Sequence, residues 1–282
     1  MNLIEMVKAA GVVGAGGAGF PTHVKLNTNV EYFIVNAAEC EPLIETDKYL
    51  CRTFADRIIR TIPQIAEAIG ASKKVIALKG AYEKEIAALK VAIREQNSDV
   101  EIFELGYFYP AGDEQTLIQQ VTGRCVPERG LPSDVGCVVD NVGTVLNIAD
   151  ALEGKAVTEK YLSVVGEVEH PIQLRVPIGT PVLECVKAAH PTVSDFALIM
   201  GGPMMGKQLT EQAAMEQAVV TKTTGNILVL PKDHYLFRKA SLPMETVRKQ
   251  TKSACLQCKM CTELCPRYLI GHQIHPNLMM RG

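Results

Sequence analysis

From residue 30 to residue 152 the chain alternates two textures, and this alternation restricts its possible folds more than any other feature. The stretches "VEYFIVNAA", "KKVIALKG" and "DVEIFEL" are short β-rich apolar runs. Between them, "CRTFADRIIRTIPQIAEAIG" and "AYEKEIAALKVAIREQN" carry apolar residues at helical spacing. The first of these predicts one helix over 51–69, kinked near Pro63 and closed by Gly70. Further on, "CVVDNVGTVLNIADALEG" predicts a strand, a turn and a helix. Strands alternating with helices of this length predict an α/β domain built on a parallel sheet. The glycine- and proline-punctuated stretch 106–136 is too long for an idle connection inside such a domain.

Near residue 155 the texture changes. "KYLSVVGEVEHPIQLRVPIGT", "FALIMGGPMMG" and "GNILVLP" are β-branched runs broken by Gly and Pro, with one short helix in "VLECVKAA". A separate small α+β module is the expectation, and from about 233 the chain turns polar and helical. The domains are therefore read as 1–155, 156–232 and 233–282. With 29 Lys and Arg against 31 Asp and Glu, bulk attraction to nucleic acid or an anionic membrane surface is excluded. No apolar run is long enough to cross a membrane, and no signal-peptide pattern opens the chain, so a cytoplasmic setting is expected.

The nine cysteines are unevenly placed. Cys40, Cys51, Cys125, Cys137 and Cys185 are scattered and predicted to act as buried small hydrophobes. Cys255, Cys258, Cys261 and Cys265 form "CLQCKMCTELCP", a C-x2-C-x2-C-x3-C-P run. Three thiolates at this spacing can converge on one iron–sulfur cube, and the proline turns the chain away afterwards. A zinc site normally needs a second, separate CxxC pair, which this chain lacks. The run therefore predicts a [4Fe–4S] cluster. In two-cluster ferredoxins the fourth cysteine of such a run serves the other cube. No cysteine follows Pro266, so the 282 residues are expected to be a fragment or shortened form of a longer protein, with a labile or missing cluster.

"GAGGAGFPTHVK" contains GxGxxG, with a fourth glycine added. A dinucleotide-binding βαβ unit needs a strand before these glycines. The preceding "NLIEMVKAAGVV" instead has Leu3, Met6, Val7 and Ala10 at helical spacing. An iron–sulfur centre moves single electrons, so a partner centre on the same chain is expected. The loop suits a flavin mononucleotide, whose phosphate and ring both need close backbone approach. Gly16 is expected to need a positive φ.

"GAGGAGFPTHVK", "NAAECEP", "YPAGDEQ" and "DNVGT" resemble, in order and spacing, the flavin-binding segments of the NADH:quinone oxidoreductase flavoprotein subunit. They are more similar still to the RnfC-like electron-transfer family, and within it to the cobalamin reductases of propanediol-utilisation microcompartments. The resemblance covers essentially the whole chain. It implies a Rossmann-like FMN-binding domain with a parallel sheet, then a ubiquitin-like (SLBB) α+β domain and a ferredoxin-like helical cluster segment. NADH would be the donor and FMN the first acceptor. The final acceptor would be cobalamin or a cobalamin-handling enzyme, inside a bacterial microcompartment with shell or cargo partners.

Carried over residue by residue, the resemblance places Gly14, Gly16, Gly17 and Gly19 against the flavin, Phe20 beside the nicotinamide and Lys25 near the reduced ring. Asn36, Glu39 and Cys40 fall at flavin-side positions, and Glu41 meets the nicotinamide nucleotide. Tyr109, Gly112, Asp113 and Glu114 form a second wall, with Asn141 and Thr144 at the phosphate and ribitol. Glu41, Lys25 and Glu114 are the candidate catalytic residues. The chain departs from the complex I pattern at Ala15, Ala38 and Asp140, which replace an arginine, an acidic residue and an asparagine.

Other readings of the same residues stand beside this one. A component of a membrane-associated ferredoxin:NAD oxidoreductase fits the same chemistry, and a partner-binding scaffold with a degenerate flavin site is the non-catalytic reading. Glu39, Glu41, Glu45 and Asp47 also fit a solvated acidic loop. His23 reads as a loop residue, and His272 and His275 as polar surface. "GGPMMG" fits a methionine-lined contact or a hairpin turn.

Overall fold

The computed structural model describes residues 1–280. Helices α1 (Leu3–Ala9) and α2 (Thr22–Lys25) flank the glycine loop, and β1 (Tyr32–Asn36) follows. Then come α3 (Thr46–Thr53), α4 (Ala55–Ala68), β2 (Lys73–Lys79), α5 (Glu83–Glu95), β3 (Glu101–Leu105) and α6 (Glu114–Thr122). A 3-10 turn at Pro132–Val135 leads into β4 (Cys137–Asn141) and α7 (Val142–Leu152). The four strands lie in the order β3-β2-β1-β4, all parallel. β1 is the sheet's centre, and Phe33, Ile34 and Val35 are fully buried because helices cover both faces. Phe33 and Val35 pack with Ile58, Ile62 and Val145, whereas Ile34 packs with Leu117, Ile118 and Val139.

Two local expectations are corrected. The helix expected over 51–69 begins earlier and is two helices, broken at Phe54 (φ −123°, ψ 26°) rather than at Pro63. The break lets Phe54 and Tyr49 both meet Tyr161 of the next unit, with centroids at 5.5 and 6.2 Å. Pro63 is carried inside α4, where Ile58, Ile59, Ile62 and Ile65 are fully buried and hold the helix in place. Gly70, at φ +68°, ends this helix in the left-handed conformation glycine favours. The turn expected before α7 is also absent. Asn141 is at once the last residue of β4 and the N-cap of α7, its side chain accepting from Gly143 N at 2.9 Å.

The next unit holds β5 (Glu159–Gly166), β6 (Ile172–Pro177), α8 (Val182–Ala188), β7 (Phe196–Met200), β8 (Lys207–Leu209), α9 (Gln212–Gln217) and β9 (Asn226–Pro231). Its mixed sheet runs β6-β5-β9-β7-β8 over a separate core of Leu162, Val164, Val186, Leu198 and Val229. "GGPMMG" is the turn between β7 and β8, closed by Gly206 N donating to Gly202 O at 2.8 Å. The remaining chain forms α10 (Tyr235–Ala240), α11 (Met244–Ala254), α12 (Met260–Glu263), α13 (Pro266–Leu269) and α14 (Pro276–Met279). Among the described residues no helix is long and apolar enough to cross a membrane.

Candidate functional site

The strand order decides where a ligand can sit. From β1 the chain moves to β2 on one side, whereas β4 lies on the other, so the connections diverge at the carboxyl ends of β1 and β4. Such a switch point opens a crevice at the end of a parallel sheet. A cleft of about 1510 Å³ lies there, beyond the roughly 300–1,000 Å³ of an ordinary small-molecule pocket. It has room for a mononucleotide and a second ligand side by side. Ala15 to Ala18, the loop after β1, Tyr109, Pro110, Gly112, Asp113 and the start of α7 line its first-unit side.

Missing side chains shape these walls. A Cβ on Gly112 would fall 2.0 Å from Ala38 O, so only glycine lets the second wall lie against the loop after β1. The two are pinned by Asn36 Nδ2 donating to Gly112 O (2.8 Å) and Gly112 N donating to Cys40 Sγ (2.8 Å). In the glycine loop, Gly17 (φ +123°) and Gly19 (φ +67°) hold the left-handed conformations. Gly16 does not, which corrects the expectation for it. What Gly16 supplies is space, since a Cβ there would approach Asn141 Cβ to 3.2 Å.

The acidic stretch is not a solvated loop, for of its four carboxylates only Glu45 is exposed. Glu39 is pushed up to about 7 by burial and by Asp47, although Glu41 N donates to its Oε1 at 2.9 Å. Asp47 accepts from Asn141 Nδ2 at 2.6 Å, yet burial still raises it. Glu41 Oε2 accepts from Met204 N at 2.9 Å, so the β7–β8 turn reaches over the cleft, while its Oε1 is buried without a partner. Asp140 is raised to about 6 by burial, against the pull of Lys25, and its Oδ2 is also unpartnered.

Of the residues singled out in the sequence, Gly16, Gly17, Asn36, Glu39, Cys40, Glu41, Tyr109, Gly112, Asp113 and Asn141 line this one cleft. Gly14, Gly19, Phe20, Lys25, Glu114 and Thr144 do not. Lys25 lies behind the wall, donating to Val139 O (2.7 Å) and Glu114 Oε1 (3.1 Å), with Asp140 Oδ1 at 3.7 Å. Thr144 supports the loop from below, its Oγ1 accepting from Ala15 N at 2.9 Å. His23 falls in the short helix α2 rather than in a loop.

The second unit supplies cleft residues that were not anticipated. Lys160, only 8% exposed, donates to Ala15 O at 3.1 Å. Thr46 of the first unit donates to Gly225 O at 2.8 Å. A signal for Lys160 is present in "KYLSVV": strand alternation puts it on the inward face shared by Leu162 and Val164.

The cysteine run lies at the edge of the first unit. Cys258 and Cys261 are exposed, Cys255 and Cys265 half-buried. Among the described residues, no three metal-ligating side chains are gathered at one point. The segment's seat is well defined nonetheless. Arg267 donates to Asp113 Oδ2 (2.7 Å) and Gln115 Oε1 (2.6 Å), and the His272 ring meets Val126 O at 2.8 Å. His272 is 7% exposed, correcting its expectation as surface, because its ring is turned inward onto Val126 O in the loop after α6. Of the scattered cysteines, Cys51, Cys137 and Cys185 are buried, but Cys125 is exposed and Cys40 lines the cleft.

Comparison with known proteins gives a consistent picture. Residues 7–150 match the family described as the Nuo51 FMN-binding domain, and residues 254–282 match a 4Fe-4S dicluster domain. The chain is 47% identical to cobalamin reductase PduS of Citrobacter freundii over 280 residues, 99% of this chain and 60% of that protein. It is 34% identical to a component of the Na(+)-translocating ferredoxin:NAD(+) oxidoreductase complex of Acetobacterium woodii, covering 94% of this chain and 58% of that one. The chain thus spans about 60% of the length of these curated relatives. In fold it is similar to a chain of an NAD+-reducing [NiFe]-hydrogenase, with TM-score 0.72 at 23% identity over 94% of this chain and 52% of that chain.

Proposed function

Because the chain belongs to the Nuo51 FMN-binding domain family, we propose that it is an electron-transfer flavoprotein that carries electrons from NADH toward a corrinoid. The observation that carries this reading is the cleft at the switch point. Ala15 to Ala18, the start of α7 and the loop after β1 converge there with space for two ligands. Bound FMN supplies hydride acceptance from NADH and stepwise electron release, and a bound [4Fe–4S] cluster supplies one-electron carriage.

The chain's own residues bind, orient and tune. Gly16 and Gly17 leave the loop backbone open to a flat ring, and Asn141 and Gly143 bring the start of α7 to the same cleft. Asn36 and Gly112 hold the wall after β1 against the wall before α6. Glu41, with one buried unpartnered oxygen, can accept from a nucleotide hydroxyl or amide. Glu39, raised to about 7 by burial and by Asp47, gains or loses its proton near neutrality, with Glu41 N donating to its Oε1. Lys25, Glu114 and Asp140 form a fixed charge group behind the wall. Cys255, Cys258, Cys261 and Cys265 have the donor chemistry a cluster needs.

Cobalamin enters this reading through the PduS relatives, which match at higher identity than the ferredoxin:NAD(+) oxidoreductase component. A microcompartment setting, with shell or cargo partners, belongs to the same proposal. Anaerobic titration with NADH tests it: the flavin absorbance of the purified protein should bleach, and cob(III)alamin should restore it. Recovery with ferredoxin but not with cobalamin would favour the membrane-complex reading. Bound flavin that NADH leaves oxidised would overturn the enzyme and leave the scaffold.

A further inference from the structure

We propose that Lys160, contributed by the second unit, is the cation that receives the phosphate group of the flavin mononucleotide. This deepens the flavin reading above and rests on it.

The glycine loop consists of Gly and Ala from Gly14 to Gly19 and brings no charge of its own. It is pressed against the start of α7: a Cβ on Gly143 would lie 3.4 Å from Ala15 Cβ. Among the described residues, five cations line the cleft. Arg57 is paired with Asp150 and Glu153, both at 2.8 Å, and Lys155 with Glu153 at 2.6 Å. Arg175 is paired with Glu159, and Lys207 is exposed. Lys160 differs from all four. It is nine-tenths buried, and the hydrogen bond it makes goes to a backbone carbonyl, Ala15 O, rather than to a carboxylate.

An ammonium has three protons to donate, and that of Lys160 makes one hydrogen bond, to Ala15 O. The carboxylate that acts on it electrostatically, Asp47, is committed to Asn141 and is itself raised by burial. Burial lowers the Lys160 ammonium to about 8, so it is charged at neutral pH but poorly compensated. A buried cation with two free protons, held by the loop that packs on the N-terminus of α7, is a site for an anion. A phosphate monoester is the anion that the flavin reading brings to this place, and its oxygens can take the free ammonium protons.

The test compares FMN with riboflavin, which lacks only the phosphate. Dissociation constants for both are measured by flavin-fluorescence quenching on the whole chain, wild type against Lys160→Met and Lys160→Arg. Lys160→Met should weaken FMN about 10- to 100-fold, the loss of a charge-assisted hydrogen bond, and change riboflavin less than about twofold. Lys160→Arg should recover part of the FMN preference. Unchanged riboflavin affinity also shows that the variant has folded. An equal loss for both flavins would make Lys160 a mere support for the Ala15 loop and overturn the assignment. So would unchanged FMN affinity with weaker NADH binding, which would give the cation to the dinucleotide's pyrophosphate. A wild-type chain that binds neither flavin overturns the flavin reading, and this assignment with it.

Discussion

Single side chains carry two consequences at the cleft. Glu39 has a folded-state pKa of about 7 against an ordinary 4.5, raised by burial and then by Asp47. The folded state therefore binds the proton more tightly than the unfolded one. Its stabilising contribution is complete below pH 4.5 and is lost as the pH rises through about 7. Two and a half pK units correspond to about 3 kcal/mol. Glu39→Gln should flatten the fall in stability over this window, as read from urea midpoints at pH 5 and pH 8; an unchanged slope would mean that Glu39 ionises freely in the folded protein. At Glu41 the prediction concerns binding. Glu41→Gln should keep flavin bound and weaken NADH reduction by about 1–3 kcal/mol, the worth of one charge-assisted hydrogen bond. Gly202→Ala should act on the same step, because its Cβ would lie 2.2 Å from Glu41 Oε2 and must displace that carboxylate. A loss of flavin with normal NADH reduction per bound flavin would reverse these roles.

At the scale of elements, the chain's last helices matter for where they rest. The segment α12 to α14 lies against the first unit through Arg267, His272 and Gln273, the last donating its N–H to Glu128. Arg267 bonds Asp113, which caps α6 by accepting from Thr116 N at 3.1 Å, so the cysteine segment and the cleft's second wall share one residue. Arg267→Ala should loosen the segment by about 1–2 kcal/mol, the value of a partly exposed charged hydrogen bond. Hydrogen exchange should then quicken over 255–280 and stay unchanged in β1 to β4; equal protection in both proteins would show that the ion pair does not hold the segment. The same helices show what sequence patterning could read. The apolar spacing of α4 and α5 was legible because burial on one face imposes it. The break at Phe54 was not, since it is set by a ring on Tyr161, more than a hundred residues away.

For the whole molecule, the parallel-sheet core and the cysteine run are separate: the buried clusters around β1 include none of Cys255, Cys258, Cys261 and Cys265. Cys258→Ser should therefore lower whatever iron and sulfide the chain retains under anaerobic conditions while leaving flavin stoichiometry and thermal stability of the first unit unchanged. Parallel loss of flavin would show that the cluster segment is needed to build the cleft. The two upstream units, by contrast, are joined at the site itself. Thr46 donates to Gly225 O, Lys222 bonds Gly11 O, and Lys160 and Met204 reach into the first unit's loops. The cleft is therefore a property of the pair.

By itself the sequence determined what depends on neighbours along the chain. The strand–helix alternation required a parallel sheet, because parallel strands need crossover connections, usually helices, to join them. The spacing of four cysteines within eleven residues is local, and so is the chemistry it implies. The glycines at 16 and 17 marked a place of close approach, although the reason at Gly16 is the neighbouring Asn141 and not its φ. Only the tertiary structure decided which charges are buried and what faces them. Asp47 and Asp140 read as ordinary acidic residues until the fold takes water away from them. Lys160 is one more strand lysine until the second sheet sets it against Ala15. Burial and pairing are sums over residues distant in sequence, and strand order, which places the cleft between β1 and β4, is settled by long-range packing rather than by local pattern.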